Sequence, residues 1–238
     1  MKCLVFDIYG DYGHFRKFYT TSSPLTFSIP PRTSVSGMIA AIIGLDKEEY
    51  PKYFSKKSAK IAVRINTPIN KGRISYTLID TKKCRSNKGV TYLNELHGRT
   101  QVTFEILKKP SYRIYFCHDD EDIYLKVKSY LEKSKNYYTV SMGLSEFIAE
   151  YNYIGEIDLE FVTNDDFVSI DTVINFNENM EIKFEPDKEY FKDTFQNEMN
   201  TDRVVTEYAK VLFERQGLPI TCKTNYYRGS EGEKIVFL

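Results

Sequence analysis

The chain has no tryptophan, three histidines, and four cysteines of which no two form a CxxC pair. His14, His97 and His118 stand at no metal-ligand spacing from one another or from a cysteine, so neither a zinc nor an iron site is expected. Cys3, Cys84, Cys117 and Cys222 are scattered, which indicates no disulfide framework and suits reduced thiols. A Gly-rich phosphate loop, a dinucleotide fingerprint and a nucleophile elbow are all missing. No apolar run reaches the ~18 residues that a membrane span requires. Asp7 interrupts the first apolar stretch too early for a signal peptide. These absences lead us to expect a cytoplasmic protein with no membrane, metal or cofactor requirement.

What is present points elsewhere. The 238 residues are 42% apolar and 28% charged, enough to build a sizeable core. Lys+Arg and Asp+Glu number 33 each, yet they are unevenly placed. Residues 1–116 carry 20 basic and 8 acidic side chains, a balance of +12, and residues 117–238 carry the opposite balance of −12. Such asymmetry points to a polyanion on the basic side; the plainer reading is that both halves intermix in one fold and their fields partly cancel. The 19 Tyr and 16 Phe allow two readings as well. Exposed rings beside cations stack unpaired bases, whereas most Tyr and Phe serve strands and core.

The hydropathy pattern predicts a strand at Lys2–Tyr9, a polar loop over Gly10–Pro31, and a buried helix from Ser34 to about Gly44. Pro30-Pro31 suits the helix start and Gly44 its C-cap. Further strands are expected at Ala59–Thr67 and Tyr112–Cys117, and further strands or short elements at Tyr151–Val162, Val168–Ile174, Met180–Phe184, Val204–Phe213 and Lys234–Leu238. A second helix should run from Asp119 to about Lys133. Alternation at Ile74, Tyr76, Leu78 and at Val102, Phe104, Ile106 predicts a long hairpin. Its connection carries Lys82, Lys83, Arg85, Lys88 and Arg99 against Asp80 and Glu95. A long basic loop is more often functional than structural. The element order is that of an α+β, ferredoxin-like (RRM-like) antiparallel sheet.

Two stretches can hold phosphate. In His14-Phe15-Arg16-Lys17-Phe18-Tyr19 the histidine could act as a general base toward an RNA 2′-hydroxyl, with the cations steadying the developing charge. The plainer reading, which we prefer, is a phosphate-holding segment in which His14 is merely polar. Arg32-Thr33-Ser34-Val35-Ser36 sits at a helix start, where free N–H groups, hydroxyls and an arginine form an anion site. Those residues fit equally well an ordinary capped helix start, with Gly37 present for close packing.

The block Phe6 to Leu25, followed by Pro30-Pro31-Arg32-Thr33 and the buried helix, resembles the Cas5 family of CRISPR proteins in the RAMP superfamily. Arg99 to Tyr115 and Tyr138 to Phe147 are similar to further blocks of that family, in family order, and the first two blocks are most like its type I-B branch. The resemblance runs from residue 2 to about residue 150. It implies a ferredoxin-like domain over 1–140 with a β-hairpin thumb inserted at about 72–110, and a β-rich C-terminal part over 141–238 packed on it.

The resemblance also implies a role as the subunit that caps the 5′ handle of CRISPR RNA in the Cascade surveillance complex. Its partners would be the crRNA, the backbone RAMP subunit and the large subunit, with target DNA touched at most indirectly. On that pattern RNA contacts fall to His14, Arg16, Lys17, Tyr19, Arg32, Thr33, Ser34 and Ser36, to thumb residues Lys82, Lys83, Arg85, Lys88, Arg99 and Gln101, and to the loop Met142-Gly143-Leu144-Ser145. One branch of the family cuts precursor RNA without metal, using Tyr, Lys and His. Here Cys117 precedes His118, and Asp119 and Asp120 follow it, which argues against cutting. The expectation is therefore a non-catalytic RNA binder, with a metal-independent endoribonuclease and a protein–protein adaptor as alternatives.

Overall fold

The computed structural model describes residues 1–21, 23–79 and 99–238. In chain order the elements begin with β1 (Lys2–Tyr9), β2 (Tyr12–Gly13), α1 (Arg32–Ile43), α2 (Tyr50–Tyr53), β3 (Ala59–Ile65) and β4 (Lys71–Ile79). They continue with β5 (Arg99–Lys108), β6 (Ser111–His118), α3 (Glu121–Glu132), β7 (Glu150–Val162), β8 (Phe167–Ile170) and β9 (Ile174–Asn175). The last are β10 (Tyr190–Met199), β11 (Val205–Glu214), β12 (Ile220–Lys223), β13 (Tyr226–Gly229) and β14 (Lys234–Ile235). The protein is thus mostly antiparallel sheet with few helices.

The main sheet has the order β14-β13-β7-β1-β6-β3, with every pairing antiparallel. β1 is buried on both faces. Leu4, Phe6 and Ile8 join the large core with α1 and α3, and Cys3 and Val5 join a smaller cluster on the opposite face with Tyr115, Ile157 and Ile235. That double burial explains why β1 reads as a continuous apolar run rather than an alternating one.

Helix α1 begins after Pro31, whose side chain cannot cap it, and ends at Gly44 with φ +75° and its N–H on the Ala40 carbonyl. The left-handed C-cap suits glycine, as the sequence predicts. Val35, Ile39, Ile42 and Ile43 are at most 1% exposed, so α1 is wedged between the main sheet and the β10–β11 sheet. Each such side chain contributes roughly 1.5–3 kcal/mol of burial. In α3, Asp120 caps the first turn by accepting from the N–H groups of Asp122 (3.0 Å) and Ile123 (3.2 Å).

β4 and β5 form the expected hairpin, paired from Lys71↔Leu107 to Ile79↔Arg99. Its base is locked to the N-terminal loop. Lys71 donates to the Thr26 carbonyl (2.9 Å) and to Glu105 (3.1 Å), whose carboxylate also receives the Thr26 N–H (3.1 Å).

The C-terminal part refines the sequence reading and adds to it. Val168–Ile174 is two strands rather than one, because Asp171 and Thr172 turn aside to bond Lys234 and Val236 near the C-terminus. Met180–Phe184 makes a single bridge, Ile182 to Cys222. β10 has no counterpart in the sequence reading, since Lys192, Asp193, Gln196, Asn197 and Glu198 mask its few apolar residues. The charge halves do intermix: Lys2 pairs Glu156 (3.8 Å), Lys56 pairs Glu207 (2.7 Å), and Lys17 pairs Asp193. The polyanion-facing half is therefore not a separate face. No helix among the described residues is long and apolar enough to cross a membrane.

Candidate nucleic-acid interface

Three distant stretches converge on a cleft of about 390 Å³. Thr33, Ser34 and Gly37 come from the first turns of α1; Thr139, Ser141 and Gly143 come from the loop before β7; Gln196, Met199, Arg203 and Val205 come from β10, β11 and their turn. The α1 start has no side-chain cap; the Ser34 and Val35 N–H groups donate to the Pro31 carbonyl (2.9 and 3.0 Å), which leaves the N–H groups of Arg32 and Thr33 to water or a ligand. Fractional positive charge at a helix N-terminus favours an anion there.

The loop wall depends on one glycine. Gly143 has φ +97°, and a Cβ there would stand 2.0 Å from the His14 carbonyl oxygen. The Met142 carbonyl accepts the His14 N–H (2.8 Å), and the Met142 N–H donates to the Phe147 carbonyl (2.7 Å). Two blocks far apart in the sequence are thereby stitched edge to edge.

Several expected RNA contacts are placed elsewhere. Arg32 is 2% exposed, and its guanidinium donates to the carbonyls of Ala59 (2.7 Å) and Asn197 (3.3 Å). Burial lowers its pKa to about 10, against the opposing field of Glu198 and Glu207. Arg32 thus bolts α1 to β3 and β10 and does not face a phosphate. Ser36 is buried and returns its hydroxyl to the Arg32 carbonyl (3.0 Å). The Met142 side chain is fully buried, and its N–H is already committed. Thr33 and Ser34 do line the cleft, with the Thr33 hydroxyl 3.4 Å from the Gln196 carbonyl. Gly143 is exposed, Leu144 half-buried, and the exposed Ser145 hydroxyl donates to Glu146 (3.2 Å).

His14 is 2% exposed. Its Nδ1–H donates to the Glu105 carbonyl (2.7 Å), and its Nε2 is buried without a partner. Burial holds its pKa below the usual imidazole value. Arg16 is exposed and bonds the Thr20 carbonyl at 3.3 Å. Lys17 and Tyr19 both reach Asp193. Burial pulls the Lys17 pKa down, but the hydrogen bond to Asp193 prevails and raises it.

Arg99 and Gln101 are exposed on the hairpin, paired with Ile79 and Thr77, and do not line the cleft. Lys82, Lys83, Arg85 and Lys88 lie outside the described residues. Arg203 is a cleft cation that the sequence reading passed over. It sits at φ +61° in the β10–β11 turn, within Asn200-Thr201-Asp202-Arg203, and that polar run between two strands was its available signal.

His118 lies at the end of β6. Its Nε2–H donates to the Tyr53 carbonyl (2.8 Å), while Nδ1 accepts the Asp120 N–H (3.0 Å). Among the described residues no group of three or more His, Cys, Asp or Glu is placed to hold a metal ion.

Residues 3–170 match the model of a family described as CRISPR-associated protein (Cas_Cas5). The fold is similar to that of a CRISPR protein from Archaeoglobus fulgidus, with a TM-score of 0.60 and 13% identity over 100% of this chain and 99% of that one. It is also similar to a chain of a CRISPR RNA-guided surveillance complex, with a TM-score of 0.56 and 10% identity over 91% of each chain. Among curated proteins no sequence match was found.

Proposed function

The chain belongs to the Cas5 family of CRISPR-associated proteins, and from that premise we propose that it is a non-catalytic subunit of a type I Cascade surveillance complex. In this reading it binds and caps the 5′ handle of crRNA and contacts the backbone and large subunits. The sequence blocks favour the type I-B branch. Strands β7-β1-β6-β3, with α1 and α3 as crossovers, support a ferredoxin-like core in which β4–β5 is the thumb.

The observation that carries the reading is the cleft at the α1 start. Uncapped helix N–H groups, the Thr33 and Ser34 hydroxyls, the Gly143 loop and Arg203 converge there from three parts of the chain. Such a set recognises a phosphate in a flexible strand, and RNA specificity would then come from splayed bases and 2′-hydroxyls.

The histidines support binding over cutting. His14 is sealed from solvent, and both ring nitrogens of His118 are engaged with backbone. A general base must reach the hydroxyl it deprotonates. Incubating the protein with its repeat-derived RNA in EDTA tests this: the RNA should be retained intact. Scission abolished by His14→Ala or His118→Ala would replace the reading with a metal-independent endoribonuclease. Arg203→Ala should weaken RNA retention and lower the salt slope by roughly 0.7, the single-strand value per lost phosphate contact. A slope near zero for the unaltered protein would favour the adaptor alternative.

A further inference from the structure

Phe18 and Tyr208 are 45% and 49% exposed, although both carry large apolar rings. They come from the N-terminal loop and from β11, yet their ring centroids stand 5.0 Å apart at 49°. Tyr19, 54% exposed, meets Phe18 edge-on at 5.1 Å. The cluster is anchored from below: Phe18 rests 6.5 Å from the fully buried Phe27, which lies 4.5 Å from Phe195 in the core. A seat of this kind holds half-exposed rings in place, with little conformational entropy left to lose on binding.

The location suggests what sits there. Tyr208 is directly opposite Gln196 in the β10–β11 register. Gln196, Arg203 and Val205 line the helix-start cleft, so Tyr208 lies one strand pairing away from a residue of its wall. Arg16 is exposed in the loop that carries Phe18, and it pairs with no carboxylate among the described residues. Ring faces beside an anion cleft and flanked by cations are the ingredients of a single-strand stacking platform.

We propose that Phe18 and Tyr208 stack one unpaired base of the RNA whose neighbouring phosphate lies in the cleft at Ser34 and Arg203. The inference rests on the RNA-binding reading above. It adds that recognition at this point uses a π-face, so it tolerates base identity, and that the C-terminal half contributes directly to RNA through β11.

Single-stranded RNA oligonucleotides carrying 2-aminopurine at successive positions test it. The full chain should quench the probe at one position. Tyr208→Leu should abolish that quench and weaken binding about ten-fold, equivalent to 1.4 kcal/mol at 25 °C. Tyr208→Trp should retain both. Phe18→Leu should act like Tyr208→Leu, and because Phe18 touches core rings, Tyr208→Leu is the deciding variant if Phe18→Leu melts early.

If the unaltered chain binds RNA and both leucine variants keep the quench and the affinity, the platform is wrong and the binding reading stands. If the unaltered chain binds none of the oligonucleotides, the RNA reading itself fails and takes the platform with it. Leucine variants that hold RNA normally but no longer assemble with sister subunits would assign the rings to a protein partner and overturn the proposal.

Discussion

Replacing Arg32 with methionine separates two roles for the most deeply buried cation among the described residues. Methionine keeps the unbranched stem and removes the guanidinium. The change deletes two charge-assisted hydrogen bonds, to Ala59 and to Asn197. Bonds from charged donors contribute about 1.5–3 kcal/mol each. The loss is offset by relief from desolvating the charge and from the unpartnered Nε. A net cost of about 2–4 kcal/mol follows, a large part of the ~5–15 kcal/mol that holds a typical domain folded. For a chain of this size each kcal/mol moves Tm by ~2–4 °C, so the midpoint should fall by roughly 4–16 °C.

The assay pairs thermal unfolding, followed by circular dichroism, with RNA binding across a salt series at a temperature where both proteins are folded. Arg32→Met should lower Tm and leave the salt slope unchanged. An unchanged Tm together with a slope reduced by roughly 0.7 would mean that Arg32 grips a phosphate. That result would refute its assignment as a bolt between α1, β3 and β10.

Other outcomes follow from the same geometry. Gly143→Ala should destabilise the protein by at least about 1–2 kcal/mol from its left-handed backbone alone, and it should weaken RNA retention, because the added Cβ meets the His14 carbonyl and pushes the cleft wall outward. His14 should make stability pH-dependent in a defined sense. Its folded pKa lies below the 6.5 of a free imidazole, so below that pH the unfolded chain takes up a proton that the native chain refuses. The unfolding free energy from urea titration should therefore fall as pH drops through 6.5, by at most about 1.4 kcal/mol per pH unit, and His14→Gln should flatten the profile. The EDTA incubation should leave repeat RNA whole; cleavage lost in a histidine variant would count against the binding role.

Much of the fold was legible because local physics wrote it into the chain. The run Lys2–Tyr9, the Pro31 and Gly44 bounds of α1, the presence of α3 and the alternation of β4 and β5 each follow from backbone sterics or side-chain period. β10 was not legible. Lys192, Asp193, Gln196, Asn197 and Glu198 leave it too few apolar residues for a period to show. The β4–β5 hairpin was readable, whereas Lys82 to Lys88 lie outside the described residues.

The candidate site divides in the same way. Thr33 and Ser34 could be named from the residues, since a helix start is a local feature, whereas Gly143 entered only through the family resemblance. Arg32 and Ser36 carry the right chemistry in the right stretch, but a single helical turn decides which side chains face a cleft and which face a sheet. That choice depends on β3 and β10, which are distant in sequence. Arg203 and Tyr208 enter only because β10 and β11 fold back over α1.

By itself, then, the amino-acid order determined most of the elements in the first half of the chain and the residue types able to meet a phosphate, because these depend on neighbours within a few positions. Only the tertiary structure decided which cation is buried, which is free, and which rings stand beside the cleft. Burial and charge pairing are set by groups brought together from across the chain, as Lys17 meets Asp193 and Lys56 meets Glu207.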